Sequence, residues 1–155
     1  MQVVFRAGTV DGGDGGRLIA AFAEEIADLY DGLDIWAPEM PTAGPSDLGP
    51  PGGAFLVGYA GDAPVCCGGV KRLSGSACEL KRMYVVPEAR RRGVARALLH
   101  ALEEAARDLG FRIARMDTGP RQGHAQALYE AEGYAPIGNF NANPAASWWG
   151  EKSLV

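Results

Sequence analysis

The sequence predicts a mixed α/β fold, in which a twisted, mostly antiparallel sheet of about seven strands carries helices on both faces. Strand-like segments joined by short turns fill the middle of the chain, and this spacing favours antiparallel neighbours. Two helix-like segments follow, and each of them ends at a glycine before another strand-like segment begins. We expect residues 1–155 to form one domain, because the length suits a single core and no linker interrupts the pattern.

The composition is that of a globular protein with an acidic balance. Hydrophobic residues make up 47% of the chain and charged residues 22%, and the net charge is −4, so a nucleic-acid surface is not expected. No apolar run approaches the length of a membrane span, and the N-terminus lacks a signal-peptide layout. The cysteines are odd in number, and Cys66 and Cys67 are adjacent, which argues against a disulfide framework. We therefore expect a cytoplasmic protein with reduced core thiols, no metal site and no membrane partner.

The first third of the chain predicts one strand, one helix and a long loop. Residues 3–7 favour a strand, and apolar residues recur at helical spacing over residues 17–33. The glycine-rich stretch 11–16 lacks the spacing of known phosphate loops, so it predicts a flexible turn. Residues 36–53 are rich in Pro and Gly, and loops of that length are often lids or binding loops, with disorder as the alternative.

The fourth predicted strand, residues 77–86, carries a break in its pattern. Cys78 and Leu80 share one parity, whereas the aliphatic residues further along, Met83 and Val85, have the opposite parity. The core face therefore changes side partway, which a β-bulge would produce. A bulge also splays a strand from its neighbour and leaves backbone groups free for a ligand, so we expect a splayed, bulged fourth strand.

The other elements follow from alternation, helical spacing and turn residues. The remaining strands are predicted at 54–59, 64–73, 111–118, 134–137 and 147–154, and the remaining helices at 93–109 and 123–132.

A cationic turn joins the fourth strand to the helix that opens at Gly93. The start of a helix has unpaired N–H groups and a positive dipole end, which together bind anions and phosphates above all. Arginines at the positive end of a helix are unfavourable unless an anion binds there. The cluster of Arg90, Arg91, Arg92 and Arg96 in an acidic chain therefore predicts one bound phosphorylated ligand.

The form of this turn, Arg90-x-x-Gly93-x-Ala95, resembles the acyl-CoA-binding motif of the GNAT superfamily of N-acetyltransferases, Gln/Arg-x-x-Gly-x-Gly/Ala. The Val-x-Pro sequence at 85–87 and the segment 127–134, with Leu-Tyr-Glu followed by Gly-Tyr, extend the resemblance. Ala95 stands where Gly is commoner in the family. The resemblance implies acetyl-CoA as cofactor and N-acetyl transfer, and it allows a homodimer, since relatives are often dimers.

The resemblance also implies roles for individual residues. The phosphates would be bound by Arg90, Arg91, Arg92, Gly93, Val94, Ala95 and Arg96, and the pantetheine arm by the backbone of Met83, Tyr84 and Val85. His124 would also contact CoA, with a helix-start role or an exposed histidine as alternatives. Tyr129 fits the general acid that protonates the leaving sulfur, with a packed ring as the alternative. Glu79 fits a general base, with a surface position or an ion pair to Lys81 or Arg72 as alternatives.

The acceptor is the least determined part of the prediction. We expect a primary amine of a small molecule, either an amino acid or an amine, attacked directly because no cysteine stands where an acyl-enzyme would form. A protein lysine or N-terminal acetyltransferase and a non-catalytic acyl-CoA sensor remain alternatives. Lys81 or Arg82, if one faces the pocket, would favour an acceptor with a carboxylate. Residues 36–53 and 139–149 are expected to shape the pocket. Trp148 and Trp149 favour core and sheet packing, with a pocket wall formed by Trp36, Phe140 and one of these two residues as the alternative.

Overall fold

The computed structural model describes all 155 residues and confirms the predicted fold, a mostly antiparallel sheet of seven strands with helices on its faces. The strand order is β1-β2-β3-β4-β5-β7-β6, and only β4 and β5 pair in parallel. The elements are β1 (Val4–Ala7), α1 (Gly13–Leu29), β2 (Ala54–Ala60), β3 (Ala63–Arg72), β4 (Ala77–Val85), a 3₁₀ turn (Pro87–Ala89), α2 (Val94–Asp108), β5 (Ile113–Thr118), α3 (Gly123–Ala131), β6 (Ala135–Pro136) and β7 (Trp148–Ser153). None of the helices is long and apolar enough to cross a membrane.

The predicted bulge in β4 is confirmed. Cys67 pairs with Tyr84 and Gly69 pairs with Lys81, so two residues of β4 stand opposite one residue of β3. Arg82, one of those two residues, has a left-handed backbone with φ 57°. The bulge shifts the side-chain alternation by one residue, as the sequence pattern indicated.

The two faces of the sheet show this shift directly. Leu80, before the bulge, is buried in the core under α2, and Met83 and Val85, after it, pack against the same core. Tyr84 is buried in the second core, on the opposite face, together with Leu18 of α1. Side chains of β4 therefore contribute to both cores. Leu80, Met83 and Val85 pack in the first core, and Tyr84 packs in the second.

The strands β4 and β5 separate soon after they meet. Their parallel pairing covers only the three residues from Ala77 to Glu79 on β4. Beyond Glu79, the edge of β4 that faces β5 has no strand partner, while β5 continues to Thr118 beside β7. A V-shaped gap thus opens in the middle of the sheet.

The prediction for residues 11–16 was wrong in part, because α1 begins at Gly13 instead of near residue 17. The first turn of the helix packs tightly against the chain before it. A Cβ atom added at Gly15 would lie 2.0 Å from the Thr9 carbonyl oxygen. The glycines therefore permit a close approach of helix and backbone, instead of forming a flexible turn.

The long segment between α1 and β2 is turn-rich and anchored by buried apolar side chains. Ile35, Met40, Ala43 and Leu48 are all buried. Ala43 and Leu48 belong to the second core, and Ile35 and Met40 border the gap between β4 and β5.

Candidate active site

The gap between β4 and β5 holds a small cavity of about 100 Å³, and a large cleft of about 540 Å³ adjoins it. The small cavity is lined by Phe22, Ile26, Tyr30, Leu33, Ile35, Met40, Leu80, Lys81, Arg82, Met83, Asp117, Thr118, Gly119, Gln122, Tyr129, Asn143 and Ala145. Four residues line both spaces, namely Phe22, Met83, Gln122 and Tyr129. These shared residues mark the place where the small cavity and the large cleft meet.

The large cleft brings together the residues that the sequence predicted for the cofactor, with Arg92 as the exception. Its walls include Met83, Tyr84, Val85, Arg90, Arg91, Gly93, Val94, Ala95, Arg96 and His124. His124 lies in the first turn of α3, across the cleft from the end of β4.

The start of α2 presents a continuous row of unpaired backbone donors to this cleft. The N–H groups from Arg91 to Arg96 donate to no other group of the protein, and no side chain caps the helix. Arg91 and Gly93 have left-handed backbones, with φ 63° and 79°, which turn the chain sharply before the helix begins. Consecutive N–H groups in such a turn, at the positive end of a helix, form an anion-binding site.

The arginines of the turn are not equivalent. Arg90 bonds the carboxylate of Glu25 in α1 at 2.7 Å and the carbonyl oxygen of Val85 at 2.9 Å, so it ties the turn to the sheet and to α1. Arg96 lies 3.2 Å from the carboxylate of Glu132. Arg91 has no protein partner, and its charge is therefore available to a ligand in the large cleft.

Tyr129 stands between the large cleft and the small cavity as a buried phenol. Its ring stacks on Trp148, and its hydroxyl lies 3.7 Å from the Met83 sulfur, a weak acceptor. Burial raises the pKa of Tyr129 well above its usual value, and the nearby Asp117 carboxylate adds to the effect. The phenol therefore keeps its proton at neutral pH and has no strong protein acceptor for it.

Glu79 is buried beside the small cavity, with only 1% of its surface exposed. One of its oxygens, Oε2, accepts bonds from Lys81 Nζ at 3.1 Å and from Asn141 Nδ2 at 3.0 Å, whereas Oε1 has no partner. Burial raises the pKa of Glu79, and Asp117 raises it further, while Lys81 and Asn141 act in the opposite direction. The structure thus shows the ion pair with Lys81 that was one alternative, and it excludes a surface position.

Sequence reasoning missed the acid–amide network next to Glu79. The Asp117 carboxylate accepts bonds from the side-chain amides of Asn141, at 2.6 Å, and Asn143, at 3.0 Å. Asn141 thereby joins the carboxylates of Glu79 and Asp117. The alternation Asn139-x-Asn141-x-Asn143 was visible in the sequence as turn residues, and only the fold shows that it reaches two acids on different strands.

The predicted aromatic walls lie elsewhere. Trp36, Phe140, Trp148 and Trp149 do not line the small cavity. Trp149 Nε1 donates to Asn141 Oδ1 at 3.0 Å and holds that amide in place, and Trp148 supports Tyr129. The indoles of Trp148 and Trp149 therefore lie one layer behind the surface that a small ligand would touch.

Comparisons with known proteins agree with this geometry. Residues 51–136 match the family model of the acetyltransferase (GNAT) domain. The chain belongs to the GNAT superfamily. It is therefore an N-acetyltransferase, and its acetyl donor is acetyl-CoA. The GNAT match covers β2 to β6, which includes the whole cationic turn and Tyr129.

Individual GNAT relatives extend the match to the full chain. It is 30% identical over 132 residues to an IAA acetyltransferase of Azospirillum brasilense, an alignment covering 83% of each protein. A GNAT acetyltransferase of Staphylococcus aureus Mu50 superposes with a TM-score of 0.79 at 15% identity, over 99% of this chain and 100% of that one. The PaiA N-acetyltransferase of Thermoplasma acidophilum, solved with coenzyme A, gives 0.69 at 16% identity over 99% of both chains. At 15% and 16% identity, these two structures show that the fold is shared.

Proposed function

We propose that the chain acetylates the primary amine of a small molecule by direct attack of the amine on acetyl-CoA, with both substrates bound at once. The observation that carries this proposal is the meeting of the large cleft and the small cavity at Met83 and Tyr129. The large cleft suits a long phosphorylated ligand, and the small cavity suits a compact acceptor. At their junction the two substrates would meet beside one buried proton donor, Tyr129.

The large cleft fits acetyl-CoA, which supplies a thioester-activated acetyl group. The unpaired N–H groups from Arg91 to Arg96 would hold the pyrophosphate, and the Arg91 and Arg96 side chains would face the phosphates. The free edge of β4 over Met83, Tyr84 and Val85 would pair with the amide-containing pantetheine arm, as an added strand pairs with a sheet. A further CoA contact is assigned to the side chain of His124.

Arg90 and Arg92 were predicted to bind the phosphates, and in this proposal their side chains do not. Arg90 is held by two bonds, to Glu25 and to the carbonyl oxygen of Val85, so we assign it to positioning the turn, whereas Arg96 has only one partner, Glu132. Arg92 lies outside the large cleft and contributes only its backbone N–H to the row of donors. Gly93, Val94 and Ala95 contribute backbone donors and leave room for a phosphate, because their side chains are small or absent.

Tyr129 is the proposed general acid. Its phenol is protonated at neutral pH because burial raises its pKa, and its only neighbouring acceptor is the weakly accepting Met83 sulfur. A departing thiolate at the junction would be a far better acceptor for this proton. The stacking of Tyr129 on Trp148 holds the phenol in place for the transfer.

Glu79 is the proposed proton acceptor for the incoming amine. Its Oε1 atom has no protein partner, and since Glu79 lies behind the lining of the small cavity, the proton would reach it through a water molecule. Burial raises the pKa of Glu79 and so makes the carboxylate a stronger base than an exposed one. Lys81, which lines the small cavity, holds this carboxylate in place through its bond to Oε2.

Direct attack is favoured over an acetylated enzyme by the position of the thiols. Cys66, Cys67 and Cys78 are completely buried and line neither the small cavity nor the large cleft. Burial raises the pKa of each of these thiols to about 12, so they are not nucleophilic at neutral pH.

A small-molecule acceptor is favoured by the size and enclosure of the small cavity. Its volume is about 100 Å³, and the end of α1 and the segment before β2 contribute Tyr30, Leu33, Ile35 and Met40 to its walls. The Azospirillum brasilense relative is likewise named for one compound, IAA.

The proposal is tested by measuring release of free CoA thiol with a panel of small amines, amino acids and lysine-containing peptides, with mass spectrometry of each product. We expect turnover with members of the small-molecule set and none with the peptides. Turnover confined to peptides would overturn the assigned acceptor class. Absence of turnover with every compound, alongside an acetyl-CoA-dependent rise in melting temperature, would support a binding module instead.

A further inference from the structure

The protein has three buried polar side-chain atoms without a partner, and all three belong to the strands that border the small cavity. They are Glu79 Oε1 and Arg82 Nε on β4 and Thr118 Oγ1 at the end of β5. Arg82 and Thr118 line the cavity itself. Buried polar groups are normally satisfied, and leaving one without a bond destabilises the fold. Their concentration at one place indicates a ligand that supplies the missing bonds.

Arg82 is held toward this cavity by an unusual backbone conformation. It is the bulged residue of β4, its φ is 57°, and left-handed backbone is unfavourable for a residue with a side chain. Conformations of this kind often persist at functional sites, where a bulge re-aims a side chain. Here the bulge presents a cation to the small cavity, opposite the apolar wall that α1 and the segment after it contribute.

The guanidinium of Arg82 makes little use of its donors within the protein. Its only hydrogen bond is a long one, 3.4 Å, to the carbonyl oxygen of Ile35, and its Cζ atom lies 5.1 Å from the centre of the Trp36 ring. It forms no ion pair, although other arginines of the molecule do, for example Arg115 with Glu151 at 2.7 Å. An arginine fork with free donors is suited to a carboxylate.

The charges that face Arg82 come from both strands. Glu79 and Asp117 are the nearby carboxylates, and Lys81 is the other cation. Lys81 is paired with Glu79, and Asp117 is bonded by two asparagine amides, so two anions and two cations balance each other. A bound zwitterion would keep this balance, with its amine toward the acids and its carboxylate toward Arg82.

One wall of the small cavity is largely apolar, whereas the others carry polar side chains such as Asp117, Gln122 and Asn143. Phe22, Ile26, Leu33, Ile35 and Met40 form the wall contributed by α1 and the segment after it. A hydrocarbon side chain would bury its surface there, while a strongly polar one would lose hydrogen bonds to water.

We propose that the acceptor is an amino acid with an apolar side chain, whose carboxylate is bound by the guanidinium of Arg82. This inference rests on the proposed function and narrows its substrate class. Arg82 selects acceptors that carry a carboxylate near the amine.

The test compares each amino acid with the amine that lacks only its carboxylate. Leucine is paired with 3-methylbutylamine and phenylalanine with 2-phenylethylamine, and kcat/KM is measured by thiol release at saturating acetyl-CoA. We expect the protein to prefer the amino acid by about 100-fold, the size expected for strong hydrogen bonds to a charged group. Equal kcat/KM for the two members of each pair, or a preference for the amine, would overturn the inference and leave N-acetyl transfer to small amines intact. Absence of turnover with all four compounds would overturn the inference together with this acceptor class.

Two variants locate the preference at Arg82. In Arg82→Gln, KM for the amino acid should rise at least about tenfold, while KM for the matched amine stays within about twofold of the original value. Arg115→Gln removes a strand arginine that lines neither the cavity nor the cleft, and it should keep the preference. Retention of the full preference by Arg82→Gln would overturn the inference. If Arg82→Gln does not fold, Arg82→Lys takes its place. Lys keeps the positive charge and lacks the forked donors of the guanidinium, so it should reduce the preference for the amino acid. An unchanged preference in Arg82→Lys would then overturn the inference.

Discussion

The large cleft and the small cavity are built in different ways, although they share a wall. One continuous stretch, from Met83 to Arg96, supplies most of the large cleft, and much of what it offers a ligand is backbone. The small cavity is made by side chains from five separate parts of the chain, namely α1 and the segment after it, β4, β5, the loop before α3 together with α3, and the loop before β7. The backbone groups recognise features common to every molecule of acetyl-CoA. The side chains are suited to distinguishing one acceptor from another.

The junction of these two spaces should be the most sensitive point of the molecule. We expect Tyr129→Phe to lower kcat by about 10²- to 10⁴-fold, the usual contribution of a general acid, while acetyl-CoA still raises the melting temperature by the original amount. The matched control is Tyr134→Phe, since this ring lies 6.1 Å from that of Tyr129 and lines neither space. A similar loss of kcat in both variants would assign Tyr129 a packing role only.

The raised pKa of Tyr129 also predicts how kcat depends on pH. Because the folded pKa of Tyr129 is raised above 10, the acid stays protonated across the range in which most amines become neutral. At any pH up to about 10, loss of this proton should therefore not reduce the kcat of the original protein.

The next largest effect concerns the backbone of the large cleft. Gly93→Ala should weaken acetyl-CoA binding by about tenfold, since it penalises the left-handed conformation and places a methyl group where a phosphate must approach. Gly75→Ala is its control, because Gly75 also has a positive φ, 57°, and in both glycines an added Cβ meets no atom within 4 Å. Both variants should lose about 1–2 kcal/mol of stability. Equal cofactor affinity, measured by calorimetry, would count against the role of this turn.

The smallest effect tests the acid–amide network of Glu79, Asp117 and Asn141. Asn141→Asp would place a third carboxylate between Glu79 and Asp117 and so raise the pKa of Glu79 further. Glu79 must be ionised to act as a base. As the solution is acidified, kcat/KM of Asn141→Asp should therefore begin to fall at a pH about one unit above that at which kcat/KM of the original protein falls. Asn139→Asp is the control. It keeps an oxygen that accepts the hydrogen bonds from the backbone N–H groups of Asn141 and Ala142, so its pH profile should match that of the original protein. Identical profiles for all three proteins would exclude Glu79 as the base.

The contrast between the two spaces also explains what the sequence could predict. The cationic turn, the free end of β4 and Tyr129 lie within two short stretches, and local rules of helix starts, strand parity and motif spacing apply to them directly. The parity change between Leu80 and Met83 predicted the bulge because a strand side chain can only point to one face or the other.

The small cavity could not be predicted in this way. Asp117, Asn141 and Glu79 are far apart in the sequence, and their contact depends on the distance at which β4 and β5 separate. A pocket wall that includes Trp36 and one of Trp148 and Trp149 was the alternative to core packing, because aromatic residues often line pockets. In the structure Trp36 and Trp149 hold Arg82 and Asn141 in place instead. The start of α1 was missed for a related reason, since a close contact between Gly15 and Thr9 outweighs the low helix propensity of glycine.

The central claim, that acetyl-CoA and the amine occupy adjoining spaces at the same time, is tested most directly by initial-rate kinetics. Thiol release is measured while acetyl-CoA and the best acceptor of the amine panel are varied together, and the protein alone with acetyl-CoA is examined by mass spectrometry. We predict intersecting double-reciprocal lines and no acetyl group on the protein. Parallel lines together with an acetylated protein would show a covalent intermediate and would contradict direct transfer at Tyr129.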